Sequence, residues 1–388
     1  KILEKDALKT RGYRRENLTK ELSAYFHCSR GVIGRILQAK SEYYPIPIIL
    51  KLSKLSKNRR ELLRKIEKNI ENLKVNSASA KPVKAVYKLN ENIAKILGAF
   101  MADGSLSVQV VIAAPYSNSK NLEEIEKRLS KLRIHYSIGN APSRNQYYIS
   151  IQASGNNFKL LNKIIHSFHP LIQTHYGIEL TDEYKDSVEA FIGWIKEEFN
   201  IYPNRFSKKG NAWRATFSNK ILARYLTTFF KIEPGPKTYT SFEPKIIKKS
   251  NLKIRRAFAR GVLMFDGRVT INETVSLSLK SGNLLNSVSK IFKKDGIKFG
   301  KSINKRGEHL LFTIRKNRKE KLLKYFEPNT QKWKLLNWLS GDSKYIPIIK
   351  SRSSVSLAKM MEVIQKVKIC DAIFLKKYFK CSHTTIRS

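Results

Sequence analysis

Two aspartates, each followed by glycine, end two apolar segments of this chain. Asp103 closes IAKILGAFMAD and Asp266 closes FARGVLMFD, and both segments have the composition of a buried helix. A single Asp-Gly of this kind is an ordinary helix end with a solvated carboxylate. Two copies, each at the head of a repeat, favour a functional interpretation of both aspartates. Any metal bound by this chain is expected to be held by carboxylates.

Cysteine and histidine patterns favour no other metal chemistry. The three cysteines, Cys28, Cys370 and Cys381, have no partner at zinc spacing, and the seven histidines form no HxxxH or HxH cluster. Three scattered cysteines are also too few for a disulfide framework. We expect them to be reduced and structural.

Each Asp-Gly segment precedes one copy of a longer repeat. DSVEAFIGWIKEEFNIYP, NAWRATFSNKILARYLTTFF and GPKT are echoed by NSVSKIFKKDGIKFG, HLLFTIRKNRKEKLLKYF and TQKW. Each copy predicts a helix, two strands of alternating burial and a second helix. The repeat divides the middle of the chain into a first half at 83–247 and a second half at 248–340.

The two halves differ in length. Asp266 lies 163 positions after Asp103, but Val288 lies only 100 positions after its apparent equivalent Val188, so the first half carries about 60 extra residues. The surplus is predicted to be an inserted βαββα subdomain at about 108–170. The alternative is that 171–235 is the insertion and the earlier unit is the sheet of the first half.

The two ends of the chain carry similar short segments. Residues 15–38 predict two helices with Ser29 as an N-cap, and FLKKYFKCSHTTIR near the C-terminus repeats LSAYFHCSRGVIGR. We predict a helix-turn-helix with a linker helix at 1–82 and a second helix-turn-helix at 341–388. An ordinary helical hairpin is the alternative for the first copy.

The charge of the chain indicates a polyanionic partner. Its 388 residues carry 75 Lys and Arg against 31 Asp and Glu, a formal charge of +44, and 41% are hydrophobic. Nucleic acid is the predicted partner, since neutralised phosphates release counterions. A membrane partner is not expected, because we find no apolar run of about 18 residues and no signal peptide. We expect a cytoplasmic, nucleoid-associated protein, with an organelle as the alternative location.

The Asp-Gly segments resemble the LAGLIDADG motif of homing endonucleases, in the form with two motifs in one chain. The resemblance implies an α+β fold of two pseudo-symmetric αββαββα halves that form a DNA-binding saddle, with the motif helices packed through small residues. Gly98, Ala102 and Gly261 fit that packing. Phe265 departs from it, since it stands where the first motif has Ala102, which predicts a looser or offset contact there.

The same resemblance assigns the chemistry. It implies a double-strand-cutting endonuclease with Mg²⁺ held by Asp103 and Asp266, for which Mn²⁺ is expected to substitute. EPGPKTYTSFEPKII resembles the lysine-bearing block that precedes the second motif, which indicates Lys237, and TQKW places Lys332 at the equivalent position. A lysine near the scissile phosphate can stabilise transition-state charge.

The resemblance also implies which surface contacts double-stranded DNA. Polar side chains at alternating strand positions would read base edges along a long, asymmetric site, and a single-chain enzyme is expected to act as a monomer. The strand candidates are Arg214, Thr216, Ser278, Lys280 and Arg315. In the N-terminal helix-turn-helix the candidates are Arg30 and Arg35. The alternative for each is a solvated surface position.

Two other functions compete with cleavage. One is a catalytically inactive, WhiA-like DNA-binding regulator built on the same fold, and the other is an intron RNA maturase that binds structured RNA. The chain retains both aspartates and one corresponding lysine in each half, which favours an active enzyme. We expect it to be free-standing or intron-encoded.

Overall fold

The computed structural model describes residues 14–26, 29–38, 46–55, 59–61, 63–64, 70–75, 81–86, 88–116, 120–154, 157, 172–269, 275–313 and 319–339. The chain divides into two compact units, Lys1–Tyr87 and Lys88–Ser388. Arg315, the predicted C-terminal helix-turn-helix and most of the last helix predicted for the inserted subdomain lie outside the described residues. Within those residues, no helix has both the length and the apolar character that a membrane crossing requires.

The first unit contains short helices around a small apolar core. Its helices are α1 (Arg15–Phe26), α2 (Arg30–Leu37) and α3 (Ile46–Lys54), and β1 (Asn72–Leu73) pairs antiparallel with β2 (Val83–Lys84). The oxygen Oγ of Ser29 accepts a hydrogen bond from the backbone N–H of Val32 at 3.4 Å, as the predicted N-cap requires. The core consists of one pair of apolar residues four apart on each helix, together with Leu55 just after α3: Leu18, Leu22, Ile33, Leu37, Ile48, Leu52 and Leu55.

The second unit mixes helices with antiparallel sheets, so the predicted α+β class is confirmed. Its helices are α4 (Glu91–Asp103), α5 (Lys120–Lys131), α6 (Lys185–Phe199), α7 (Lys220–Arg224), α8 (Lys245–Lys248), α9 (Leu252–Asp266), α10 (Gly282–Lys294), α11 (Lys319–Leu323) and α12 (Gln331–Leu339). A 3₁₀ turn at Pro142–Arg144 and a π-helical turn at Tyr225–Phe229 accompany them.

The strands of the second unit form two sheets. They are β3 (Gly104–Pro115), β4 (Ser137–Ala141), β5 (Gln146–Ala153), β6 (Ile172–Asp182), β7 (Arg205–Lys209), β8 (Ala212–Phe217), β9 (Gly267–Val269), β10 (Val275–Leu279), β11 (Gly300–Ile303) and β12 (His309–Phe312). The order is β4-β5-β3-β6-β8-β7 in the six-stranded sheet and β11-β12-β10-β9 in the four-stranded one. Four strands of the larger sheet thus repeat the order of the smaller one.

Burial alternates along these strands as expected for sheets with one covered face. In β10, VSLSL buries Val275, Leu277 and Leu279 and leaves the two serines half-buried. In β8, Ala215 and Phe217 are fully buried. Trp213, two residues before Ala215 on the same side of β8, is only half-buried and packs on the ring of Phe206 at a centroid distance of 5.4 Å.

Strand β3 joins the predicted insertion to the rest of the first half. It is one strand of 12 residues that pairs with β6 from Gly104 to Ile112 and with β5 from Val108 to Pro115. The strands β4 and β5 therefore widen the same sheet and do not form a sheet of their own. In the second half, β9 and β10 pair directly after α9, an order that supports treating 108–170 as the addition. The domain boundaries themselves stay predictions.

Candidate active site

The two motif helices, α4 and α9, cross with their backbones in contact. A Cβ atom at Gly98 would lie 2.1 Å from the carbonyl oxygen of Phe258, and a Cβ atom at Gly261 would lie 2.1 Å from the carbonyl oxygen of Lys95. Real Cβ atoms are not tolerated at such distances, so glycine is required on both helices. Because the two contacts are reciprocal, the helices are related by an approximate twofold axis at this crossing.

The other predicted packing positions lie beyond this closest approach. Ala102 is half-buried. Phe265, at the equivalent position of the second motif, is buried and packs edge-to-face on Phe191 of α6 at a centroid distance of 6.2 Å. The larger side chain of Phe265 is accommodated against α6, a helix of the first half.

Both aspartates occupy the same kind of junction. Each motif helix begins with an asparagine cap, Asn90 or Asn251, whose side chain accepts a hydrogen bond from a first-turn N–H. Each ends in the aspartate and passes directly into a strand through a glycine with φ −77°. This extended conformation differs from the left-handed glycine that commonly ends a helix. The carboxylates therefore stand where helix turns into sheet in each half.

The environment of both carboxylates opposes their negative charge. Desolvation, followed by the charge of Asp182, raises the pKa of Asp103 to about 6. Desolvation and the charge of Asp103 raise the pKa of Asp266 well above its usual range. Asp103 remains exposed and Asp266 half-buried, and neither carboxylate forms a hydrogen bond or ion pair with a described residue. The site thus presents two accessible carboxylates without direct partners to an incoming cation.

Lys237 lies beside the end of the first motif helix. Its ammonium group donates a hydrogen bond to the carbonyl oxygen of Phe100 and lies 4.9 Å from the centroid of that ring. Desolvation lowers the pKa of Lys237 to about 8, while the charges of Asp266 and Asp103 act in the opposite direction. The lysine is therefore close enough to interact electrostatically with both aspartates.

Lys332 has the corresponding place at the second motif helix. Its Nζ donates to the carbonyl oxygens of Met264 at 2.6 Å and Phe265 at 3.0 Å. The last carbonyls of a helix have no acceptor role within it, so a lysine there satisfies them and complements the helix dipole. Each half thus holds one lysine on the carbonyls that precede its own aspartate.

Asp182 is a functional candidate that the sequence analysis missed. It ends β6, its Oδ2 lies 3.3 Å from Nζ of Lys332, and its Oδ1 accepts the backbone N–H of Tyr184 at 2.8 Å. Burial raises the pKa of Asp182, and the ammonium of Lys332 opposes that shift. The available signal was an acidic pair, Asp182 and Glu183, shortly before the predicted helix that contains Val188.

The donor set at this place fits a hard divalent cation only in part. Among the described residues, no three Asp, Glu, His or Cys side chains lie close enough together to hold a metal ion. Two carboxylates alone supply few ligands, but Mg²⁺ commonly keeps several waters and binds through one or two carboxylates together with substrate phosphates. Asp103 and Asp266 therefore fit an ion whose remaining ligands come from water and a phosphate.

The strand residues predicted to contact DNA differ in whether their side chains are already bonded to neighbouring residues. Nη1 of Arg214 lies 3.1 Å from Oε2 of Glu179 on the neighbouring strand, so its charge is already paired. Ser278 donates a hydrogen bond to Glu308 at 3.2 Å. Thr216 is half-buried, between Glu179 and Arg205 in the strand register. Lys280 is exposed, with Nζ 5.6 Å from the ring centroid of Tyr239.

In the first unit, the two arginines predicted to contact DNA lie on α2. Arg30 is the first residue of the helix and Arg35 lies in its last turn, and both are exposed. The buried face of the helix carries Ile33 and Leu37. Both guanidinium groups are therefore accessible to a partner.

Comparison with known proteins gives structural neighbours only. No protein-family model and no curated protein matches the sequence. Solved structures of I-DmoI match, including its complexes with DNA and Mn (14% identity, TM-score 0.35, covering 61% of this chain and 96% of that one) and with DNA and Ca (12%, 0.35, 61% and 89%). Mesophilic variants of the homing endonuclease I-DmoI match similarly (14%, 0.35, 61% and 89%).

Proposed function

We propose that this protein is a LAGLIDADG-type homing endonuclease that makes double-strand breaks at a long, asymmetric DNA site. The observation that carries the proposal is the crossing of α4 and α9. Backbone contact at Gly98 and Gly261 fixes both helices, so that Asp103 and Asp266 are held within electrostatic range of each other without direct partners. Two desolvated carboxylates that raise each other's pKa are the kind of perturbed pair that marks functional sites.

The chain's own groups have separate roles in the proposed reaction. Asp103 and Asp266 would hold Mg²⁺, which supplies Lewis-acid stabilisation and an activated water. Lys237 and Lys332 place positive charge beside the carboxylates, where the scissile phosphate gains negative charge in the transition state. The pKa of about 8 keeps Lys237 mostly protonated at pH 7. Asp182 would fix the position of Lys332, with which it is paired.

The proposed DNA contacts come from both units. The half-exposed polar side chains of the two sheets would face the duplex as a saddle, with Lys280, directly after β10, as one of its exposed cations. The first unit would add contacts as a helix-turn-helix through Arg30 and Arg35. Since both carboxylates belong to one chain, we propose that a monomer is the active form.

A cleavage assay tests the proposal directly. The full chain is incubated with a randomised duplex library and Mg²⁺, and cut molecules are captured and sequenced. The wild type is compared with Asp103→Asn, Asp266→Asn and the control Glu124→Gln, which removes an exposed carboxylate paired with Arg128 on α5. We expect cutting at one long site by the wild type and the control only.

Two outcomes would contradict the proposal. Cutting by both Asp→Asn variants at the wild-type rate would show that the carboxylates are not catalytic. Tight, site-specific DNA binding without cutting by the wild type would indicate an inactive regulator.

A further inference from the structure

A cavity of about 280 Å³ lies between the N-terminal ends of the two motif helices. Five cationic side chains line it, and Glu91 is the one acidic residue in the lining. The cations are Lys95, Lys253, Arg256, Arg260 and Lys324. A concave surface that concentrates one sign of charge attracts a ligand of the opposite sign.

This cavity is separate from the site of the carboxylates. Glu91 is the first residue of the 13-residue helix α4 and Asp103 is its last. At 1.5 Å per residue, the two ends of the helix are roughly 20 Å apart. In α9, Lys253 and Arg256 likewise belong to the opposite end from Asp266. A ligand in the cavity would therefore not reach the proposed metal.

Two of the cations are held in place by a buried carboxylate behind the lining. Arg256 donates to both oxygens of Asp295, and Nζ of Lys324 lies 2.6 Å from Oδ2 of Asp295. The hydroxyl of Tyr325 donates to the same carboxylate at 2.6 Å. The side chain of Asp295 is only 1% exposed, and these donors hold its pKa at about 2. The two cations are thus preorganised at the cavity.

A second carboxylate orders the deeper cations. Glu327 lies 3.7 Å from Lys95 and 3.6 Å from Arg260, and the charge of Glu197 also acts on Lys95. Arg260 further donates to the carbonyl oxygen of Lys324 at 2.8 Å. Burial lowers the pKa of Lys95, the charge of Glu327 opposes that shift, and the charge of Arg260 adds to it. An anion in the cavity would relieve the repulsion between its cations.

We propose that this cavity is a phosphate-binding site. The five cations exceed the three carboxylates paired with them, Glu91, Asp295 and Glu327, by two charges, and this excess suits a phosphate dianion or a phosphodiester. Its volume of about 280 Å³ has room for a phosphate and the atoms that carry it. The phosphate would come from a free phosphorylated compound or from a single-stranded nucleic acid.

Calorimetry with inorganic phosphate and with AMP tests the free-compound source. The full wild-type chain is titrated at fixed ionic strength beside two double variants. Lys253→Gln with Lys324→Gln removes two lining cations whose side chains are 73% and 45% exposed. Lys290→Gln with Lys293→Gln removes two exposed cations of α10 that do not line the cavity. We expect one site in the wild type and the control, and affinity at least tenfold weaker in the cavity variant.

A second titration tests the nucleic-acid source. The affinity for a short single-stranded oligonucleotide is measured at several salt concentrations. Loss of one phosphate contact lowers the slope of log K against log salt by about 0.7. A lower slope in the cavity variant than in the control, with no phosphate or AMP binding in any protein, would assign the site to a strand.

The proposal fails if the cavity variant and the control behave alike in both titrations. Circular dichroism checks that each variant is folded. Lys253→Gln alone, which affects one exposed ion pair with Glu91, provides a milder variant should the double substitution unfold. Cleavage does not enter this test, so the inference stands or falls independently of the proposed nuclease activity.

Discussion

Lys332 and Asp182 form an ion pair across the two halves of the second unit, with Nζ and Oδ2 3.3 Å apart and both side chains almost fully buried. Removing one member of such a pair leaves the other charge buried and uncompensated. We expect Lys332→Met to lower the free energy of unfolding by about 3 kcal/mol, measured by urea denaturation. Adding Asp182→Asn should restore part of that loss.

The double-mutant cycle separates pairing from packing. If Lys332→Met and the double variant are equally unstable, the loss comes from the bonds to Met264 and Phe265, and Asp182 has no positioning role. In the cleavage assay, Asp182→Asn should retain part of the activity that Lys332→Met loses, because the carbonyls of Met264 and Phe265 still hold the ammonium.

The helix crossing predicts strong intolerance of a single methyl group. Gly261→Ala would place Cβ 2.1 Å from the carbonyl oxygen of Lys95 and 2.7 Å from the backbone nitrogen of Ala99. Backbone atoms cannot rotate away, so we expect a loss of about 3 kcal/mol, at the upper end for overpacking. Gly193→Ala on α6 is the matched control, since its Cβ would contact nothing within 4 Å. Gly193→Ala should raise the free energy of unfolding, measured by thermal denaturation, by about 0.5–1 kcal/mol. Equal stability of the two variants would refute the backbone contact.

The carboxylate site predicts how stability depends on pH without metal. The pKa of Asp103 is about 6 in the folded protein and about 3.9 in an unfolded chain. A raised pKa stabilises the fold fully below the unfolded value, and this contribution is lost as pH rises through 6. With EDTA present, Asp103→Asn should therefore melt above the wild type at pH 8 but not at pH 3.5.

Addition of Mg²⁺ should reverse that order at pH 8. The ion would bind the ionised wild-type pair and raise its melting temperature, while Asp103→Asn should gain less because it offers one carboxylate fewer. An identical response of both proteins to Mg²⁺ would argue against metal binding by Asp103.

The exposed cation Lys280 predicts an electrostatic contribution to duplex binding. We expect Lys280→Gln to lower the slope of log K against log salt by about 0.9, the value for one phosphate contact on B-DNA. Lys293→Gln, an exposed cation of α10, serves as the control and should leave the slope unchanged. Fluorescence anisotropy with the target duplex at several salt concentrations measures both. A slope that does not change in Lys280→Gln would place this residue away from the phosphates.

Duplication determined how much of the site the sequence could predict. Asp103 and Asp266, and likewise Lys237 and Lys332, occur once in each half, so comparing the halves singled them out. Asp182 occurs in one half only: the end of β10 leads instead into Lys280 and Ser281. A comparison of repeats cannot detect such a residue.

The sheet could be predicted only in part for a related reason. The alternation in β8 and β10 identified strands, but pairing depends on contacts between distant segments. The sequence around 108–170 predicted a separate subdomain, whereas β3 pairs on both edges and includes β4 and β5 in one sheet. Phe265 of the second half likewise packs on Phe191 of the first half, a contact between distant segments.

The two sheets differ in size, so the backbone after Asp103 and the backbone after Asp266 should differ in local stability. Asp103 leads into β3, an interior strand of about 40 Å that pairs with β6 from Gly104 and with β5 as well from Val108 onward. Asp266 leads into β9, a three-residue strand at the edge of the described four-stranded sheet. Amide protons exchange slowest where opening requires the rupture of two ladders. The backbone after Asp266 should therefore open locally more often than that after Asp103, so that one carboxylate is anchored and the other can adjust.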